Sequence, residues 1–198
     1  KNFKLKRKHM NEKAFLKNYF TDLHKLIDFQ DETINKLVLA KKIFLETQKK
    51  GKKIMVFGNG GSAAIANHFS VDLTKNAGIR CSNYNESDLI TCFSNDFGYE
   101  KWIEKTIDFY GDADDILVII SASGKSKNIV NGCQAAKRKK FKSIITLTGH
   151  DKKNPVSDLG NINFNVPSKA YNHIENAHQI LLLSLVDLVI GKSEYPAN

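Results

Sequence analysis

The sequence predicts an α/β protein in which helices cover both faces of a parallel sheet. Strand-like and helix-like segments alternate along most of the chain, as they do where parallel strands are joined by helical crossovers. The strand-like runs, of which Ile116–Ile120 is the clearest, are apolar throughout and do not alternate with polar residues. Strands of that kind are buried on both faces, so we expect helices on two sides of the sheet.

The N-terminal quarter of the chain reads as two helices. Apolar side chains recur at helical spacing over residues 15–27 and again over 34–44. We therefore predict one domain over residues 1–198, made of an N-terminal helical hairpin at 1–50 and an α/β core at 51–198. The hairpin exceeds what a small domain must cover, and we expect it to pack against other subunits.

The core elements follow from the same periodicities. We predict strands at 53–57, 115–120, 143–147 and 162–166, and helices at 62–75, 99–110, 128–140 and 171–190. The last helix is so apolar that we expect it, too, to contact other subunits; burial inside its own domain is the alternative.

Net charge and composition indicate which classes of binding partner to expect. The net charge is +9, with basic residues concentrated in the N-terminal stretch and in the segment KRKKFK at 137–142. No aromatic-rich basic face accompanies them, so we interpret them as solvated helix ends and do not expect nucleic-acid binding. No apolar run approaches the roughly 20 residues of a membrane helix, and we expect no membrane partner.

The expected location is the cytoplasm. The basic start, KNFKLKRKHMNEK, lacks the apolar segment of a secretory signal. The three cysteines, Cys81, Cys92 and Cys133, are odd in number and lack metal-ligand spacing. We interpret them as reduced thiols.

A glycine-rich turn, GNGGS at 58–62, follows the first core strand and opens a helix. Backbone N–H groups and the positive end of that helix can hold an anion there, and Ser62 can add a hydroxyl donor. The residues also match the dinucleotide pattern G-x-G-x-x-A. That pattern expects an acidic residue at the end of the next strand, and the nearest candidate, Glu86, lies in no convincing strand.

A second turn, SASGKS at 121–126, follows another buried strand. It places three hydroxyls within six residues, and Gly124 frees the backbone. A nucleotide P-loop would require glycine at position 119, where isoleucine stands. Two such turns at the carboxyl ends of parallel strands can converge on one crevice, so we predict a phosphate site that needs no magnesium.

The motifs GNGGSAA, SNDFG and SASGKS resemble those of the sugar isomerase (SIS) domain family, and within it the phosphoheptose isomerase group. The resemblance spans nearly the whole chain. It implies a three-layer α/β sandwich with a five-stranded parallel sheet, and a homotetramer with active sites at subunit interfaces. It also implies that the serines of the two turns grip a sugar phosphate while Asn59 and Asp96 meet the sugar hydroxyls. The predicted substrate-binding residues are Asn59, Gly60, Gly61, Ser62, Asn95, Asp96, Ser121, Ser123, Gly124, Ser126 and Asn172.

Two polar pairs have the spacing of one helix face: His68 with Asp72, and Glu175 with His178. One imidazole and one carboxylate form half of a zinc site, so two facing pairs would complete one. Surface polar pairs without a metal are the alternative. In the resembling isomerases, position 68 is a zinc ligand, position 72 a ligand and base, and position 175 a ligand. We therefore predict a divalent metal, zinc before others, at these four residues.

Three positions depart from the resembling isomerases. Leu183 stands where they have a histidine that acts as ligand and general acid, Asn172 where aspartate is common, and Ile65 where a polar residue is frequent. Leucine can neither bind a metal nor move a proton. Three outcomes stay open: His178 supplies the imidazole, a carboxylate moves the proton without metal, or catalysis is lost.

We predict an aldose–ketose isomerase of a phosphorylated sugar, acting through an enediol with Asp72, Glu175 and His178 as catalytic candidates. By resemblance, the reaction is sedoheptulose 7-phosphate to D-glycero-D-manno-heptose 7-phosphate, for lipopolysaccharide or capsule. The alternative is a non-catalytic SIS scaffold, such as those that bind the bacterial replication initiator, or a regulator that binds a sugar phosphate.

Overall fold

The computed structural model describes residues 10–196, so the basic stretch before residue 10 lies outside the described part. Five parallel strands form one sheet in the order β2-β1-β3-β4-β5. The strands are β1 (Ile54–Gly58), β2 (Cys81–Ser82), β3 (Ile116–Ser121), β4 (Ser143–Gly149) and β5 (Ile162–Val166). Every residue of β1, β3 and β4 is buried, as the uniformly apolar runs predict.

Helices cover both faces of this sheet, which confirms the predicted fold class. They are α1 (Glu12–Ile27), α2 (Asp31–Lys49), α3 (Gly61–Lys75), α4 (Ser87–Phe97), α5 (Trp102–Tyr110), α6 (Lys127–Arg138) and α7 (Tyr171–Ile190), with a 3₁₀ turn at Tyr99–Lys101. One hydrophobic core joins α2, α3 and α7 to the sheet, and a second joins α5 and α6 to its other face.

Two elements are absent from the sequence prediction. The strand β2 has only two residues, too few to show any periodicity. The helix α4 has no buried residue, and its apolar side chains are separated by polar ones in the sequence SDLITCFSNDF. Both elements depend on contacts with their neighbours, which local sequence does not display.

The last helix is buried along one face. Helix α7 packs against α1, α2 and α3 and the sheet, and its inner face is buried within its own chain. Burial inside its own domain therefore accounts for that face, while Ile180 on another face is exposed and the expected contact with other subunits stays a prediction.

The hairpin is different, because α1 contains no buried residue. It exposes Phe15, Leu16 and Phe20, and the neighbouring α2 exposes Val38 and Leu39. This apolar surface is compatible with the predicted contact to other subunits, which stays a prediction. Among residues 10–196, no helix combines the length and apolar character that a membrane span requires.

The sheet order fixes where a ligand can enter. From β1 the chain moves outward to β2, then returns to β3 on the other side of β1 and continues to β4 and β5. Such a reversal opens a crevice at the carboxyl ends of the two central strands, here β1 and β3. The two small-residue turns follow these strands.

Candidate functional site

The two turns converge on one cavity, as predicted. The turn after β1 leads into α3, and the turn after β3 leads into α6. Together they line a cavity of about 130 Å³. Its polar lining is Asn59, Ser62, Ser121, Ser123, Ser126, Tyr171 and Glu175. We call this cavity the phosphate cradle, after its predicted ligand.

The first turn is shaped by its glycines. Gly60, which precedes α3, has a φ of 56° and a ψ of −123°, a conformation that side-chain-bearing residues rarely adopt. A Cβ on Gly58 would lie 2.5 Å from the backbone of Ser62. The glycines therefore let the chain reverse tightly enough for the start of α3 to face the cradle.

The second turn is also shaped by a glycine. Gly124 has a φ of 62°, and a Cβ there would collide with the side chain of Asn154. Ser126 stands at the N-cap of α6, and its hydroxyl makes no capping bond to the helix. That hydroxyl is therefore free for a ligand in the cradle it lines.

The cradle offers an anion dipoles and hydroxyls rather than side-chain cations. Neither lysine nor arginine belongs to its lining. The adjacent Lys125 pairs instead with Asp151, at 3.1 Å between Nζ and Oδ2, and both side chains are mostly exposed. The amino-terminal ends of α3 and α6 supply the partial positive charge that favours phosphate.

An amide bridge ties the first turn to helix α6. Asn59 Nδ2 donates to Asn128 Oδ1 at 3.1 Å, and Asn128 Nδ2 donates to Asn59 Oδ1 at 2.9 Å. Tyr99 Oη donates to the same Asn59 oxygen at 3.1 Å. Sequence reasoning missed Asn128 and Tyr99, because only the fold brings α6 and the 3₁₀ turn to position 59.

The SNDFG motif contributes to this edge through other residues than predicted. Asn95 and Asp96 are exposed on α4, where Asn95 Nδ2 donates to Asp96 Oδ1 at 2.9 Å. Neither lines the cradle or its two neighbouring cavities. Gly98 and Tyr99, just after them, line a cavity of about 500 Å³ that shares Asn59 and Ser126 with the cradle.

Glu175 lies at the boundary between two cavities. Its carboxylate packs on the backbone of Gly61, where a Cβ would collide with both carboxylate oxygens. It lines the cradle and also a polar cavity of about 310 Å³. The polar cavity is lined by Tyr19, Gly61, Ala64, Ile65, Asn172, Glu175, Asn176 and Gln179. Asn172 thus lies in the polar cavity rather than in the cradle.

Helices α3 and α7 form a groove with its own polar cluster. His68 Nε2 lies 3.1 Å from Asp72 Oδ2, and His68 Nδ1 lies 3.4 Å from the amide nitrogen of Gln179. Gln179 is one turn after Glu175, and Leu183 follows one turn later. Sequence reasoning missed Gln179, although its spacing of four from Glu175 is a usable signal.

His178 does not belong to this groove, which corrects the predicted metal and proton-donor roles. Its side chain is fully buried, and Nε2 donates to the carbonyl oxygen of Thr148 at 3.0 Å. Burial lowers the pKa of this imidazole to about 4, although the Thr148 carbonyl opposes the shift. Three residues correspond to about 300° around a helix, so His178 turns about 60° away from Glu175 and into the core.

The predicted four-residue metal group is therefore incomplete. Within residues 10–196, no three His, Cys, Asp or Glu side chains lie close enough together to hold a metal ion. His68 and Asp72 supply two donors, and the apolar Leu183 supplies none. The donor set of the described chain does not fit a four-coordinate zinc site.

Comparisons with known proteins agree with this architecture. A family model described as SIS domain matches residues 17–149. The phosphoheptose isomerase of Buchnera aphidicola subsp. Acyrthosiphon pisum is 32% identical over 182 residues, covering 89% of each chain. That of Aliarcobacter butzleri is 34% identical over 174 residues, covering 84% of this chain and 88% of its own.

A solved structure supports the same assignment. The phosphoheptose isomerase from Francisella tularensis superposes with a TM-score of 0.82 at 27% identity, covering 92% of this chain and 100% of its own. The family match spans more than half of the chain, and the sequence identities hold over most of its length. The chain belongs to the SIS domain family, in its phosphoheptose isomerase branch.

Proposed function

We propose that this protein is a phosphosugar isomerase that interconverts a ketose phosphate and an aldose phosphate. Its relatives are named phosphoheptose isomerases, so sedoheptulose 7-phosphate is the first substrate to test. The observation that carries the proposal is the position of Glu175, whose carboxylate borders both the serine-lined cradle and the polar cavity. The identities with phosphoheptose isomerases favour this activity over the non-catalytic alternatives.

The phosphate binds through the serines of the cradle. Ser62, Ser121, Ser123 and Ser126 present hydroxyls around one small cavity, and two helices begin there. Hydrogen bonds to a charged group contribute about 1.5–3 kcal/mol each, so a few of them fix the sugar in place. This positioning leaves the remainder of the sugar at the polar cavity.

In the polar cavity, the sugar hydroxyls form hydrogen bonds with carboxamide side chains. Asn172, Asn176 and Gln179 line the polar cavity beside Glu175 and Tyr19. Each carboxamide offers two donors and an acceptor, which suits a polyol. These carboxamides are exposed or half-buried, so they can form hydrogen bonds with the hydroxyls of a sugar that enters the cavity.

The reaction needs a base that removes a proton from a carbon next to the carbonyl and returns it to the neighbouring carbon. Glu175 is the carboxylate that touches both cavities. As carboxylate it accepts the carbon-bound proton, which leaves an enediolate, and the proton of the neighbouring hydroxyl passes to the former carbonyl oxygen. As carboxylic acid it then returns its proton to the adjacent carbon, where the new carbonyl forms on the neighbouring oxygen. The product is the isomeric sugar phosphate, and the carboxylate is regenerated.

The assembly that we propose is a homotetramer in the cytoplasm. The exposed apolar side chains Phe15, Leu16 and Phe20 of α1 and Val38 and Leu39 of α2 support a subunit contact there. Analytical ultracentrifugation of the purified protein measures the assembly directly. A monomer at micromolar concentration would refute it.

The function is tested with sedoheptulose 7-phosphate in deuterated water. We expect deuterium to enter the product at a carbon next to the carbonyl, followed by NMR, together with formation of the aldose phosphate. The same sugar without its phosphate serves as control and should react far more slowly. Tight binding without deuterium uptake would instead indicate a regulator.

A further inference from the structure

Both ring nitrogens of His68 face a partner in the same chain. The Gln179 amide nitrogen, which only donates, lies 3.4 Å from Nδ1, so that contact places the ring proton on Nε2. Nε2 in turn faces the Asp72 carboxylate at 3.1 Å. A metal ion could bind His68 only after one of these contacts is broken.

The surroundings offer no replacement. Leu183, one turn beyond Gln179 on α7, carries no donor atom. The nearest further imidazole along α7, His178, is buried in the core against Thr148 and does not reach the groove. Among the described residues, no third His, Cys, Asp or Glu joins His68 and Asp72. The polar side chains of the groove are thus bonded to one another and are not arranged around a cation.

Glu175, by contrast, is free to react. None of the ion pairs in the described part of the chain includes it. Its carboxylate rests on Gly61 at the start of α3 and borders both cavities. The side chain of Asn172 also lines the polar cavity, where its amide can donate to an oxygen that becomes negative.

We propose that this enzyme works without a resident metal ion, that Glu175 alone carries the proton between the two carbons, and that carboxamides stabilise the enediol oxygens. The inference rests on the proposed isomerase function and assigns its catalytic group. His68, Asp72 and Gln179 form a hydrogen-bonded cluster that holds α3 against α7. The sequence prediction of zinc is the competing view.

Metal content tests the proposal without reference to activity. The protein is purified, exposed to zinc, passed through a desalting column and analysed for metals by mass spectrometry. We expect far less than one metal ion per chain, and the isomerisation rate in excess EDTA should equal the rate without it. One zinc per chain, or activity lost in EDTA and restored by zinc, would overturn the proposal.

Two variants locate the proton-transfer group. Glu175→Gln keeps the shape of the side chain, and we expect the isomerisation rate to fall on the order of a thousandfold. His68→Asn removes an imidazole that is about half exposed, and we expect a loss below about tenfold, because the proposal gives His68 no contact with the reacting atoms. Melting temperatures near that of the wild type exclude unfolding as the cause. A His68→Asn loss as large as that of Glu175→Gln would refute the assignment.

The two proposals fail in different ways. If neither the wild type nor a zinc-supplemented sample exchanges deuterium into any phosphosugar, the isomerase function is wrong. If the wild type isomerises only with bound zinc, the function stands and the metal-free mechanism is wrong. The NMR tautomer of His68 adds an independent readout, because the proposal requires the proton on Nε2 both with and without added zinc.

Discussion

The phosphate cradle and the groove between α3 and α7 lie side by side, yet they are built differently. The cradle takes its form from the backbone, with Gly60 and Gly124 at positive φ and two helices beginning at its rim. The groove depends on side chains, and there His68 meets Gln179 while Leu183 brings no polar group. The comparison teaches that an anion site whose shape is set by the backbone can lie beside a groove whose properties depend on its side chains.

The largest effect on kinetics should come from removing two serine hydroxyls from the phosphate cradle. In the double variant Ser121→Ala with Ser126→Ala, two bonds to phosphate are lost, at about 2 kcal/mol each. We expect kcat/KM for sedoheptulose 7-phosphate to fall on the order of a thousandfold, mainly through KM. Steady-state kinetics measure it.

The matched control lies in the groove. Leu183→Met has nearly the same volume and adds no donor that the mechanism uses, so KM should remain within about twofold. If the double serine variant kept the wild-type KM, the cradle would not be the phosphate site.

The buried face of α7 carries His178, which should make the unfolding free energy of the protein depend on pH. The folded protein lowers the pKa of His178 from 6.5 to about 4, so between these values the unfolded chain binds the proton and the folded chain does not. Stability therefore falls as pH drops from 6.5 towards 4, by about 3 kcal/mol in total from this residue. Urea unfolding at several pH values measures this loss.

A variant separates His178 from other acid effects. His178→Gln keeps an amide donor near Thr148 and cannot titrate, so its stability should decline less steeply over the same interval. At pH 7.5 this variant should be less stable than wild type, because the ring packing is lost. An equally steep decline in the variant would show that other groups cause it.

The backbone of the cradle gives a third comparison. Gly124→Ala forces a side chain into positive φ and into Asn154, which is buried and holds Ser157. We expect a loss of about 2–3 kcal/mol in unfolding free energy, from strain and overpacking together. Gly191→Ala has positive φ but open space around it, so the loss should be nearer 1 kcal/mol. Equal losses of unfolding free energy in the two variants would mean that the Asn154 side chain moves aside without an energetic penalty.

The smallest effect should appear at the edge of the cradle. Tyr99→Phe removes the hydroxyl that donates to Asn59, while the amide bridge to Asn128 remains. One exposed hydrogen bond is worth about 1 kcal/mol, so KM should rise by no more than roughly fivefold with kcat unchanged. Kinetics with the phosphorylated sugar test this, and a large drop in kcat would assign Tyr99 a direct part in the reaction.

Sequence reasoning reached the fold and the cradle because both depend on local signals. Uniformly apolar runs such as Ile116–Ile120 reveal buried parallel strands, and Gly60 and Gly124 mark turns that need their backbone freedom. The side-chain partners were harder to predict. Asn128 acts through a contact across 69 positions, which no spacing rule contains. Gln179 contacts His68 across 111 positions, and only its spacing of four from Glu175 pointed to it.

His178 shows why helical spacing alone misassigned a residue. Its separation of three from Glu175 is compatible with a shared face, but a 60° offset on a helix packed from several sides is enough to bury it. Which of two nearly aligned positions enters the core is decided by neighbours such as Thr148.

The contact between Gly61 and Glu175 has a consequence for substitutions at the start of α3. Any side chain at 61 would occupy the space of the present carboxylate, which would then have to swing away. The first residue of that helix therefore limits where the proposed proton-transfer group can stand.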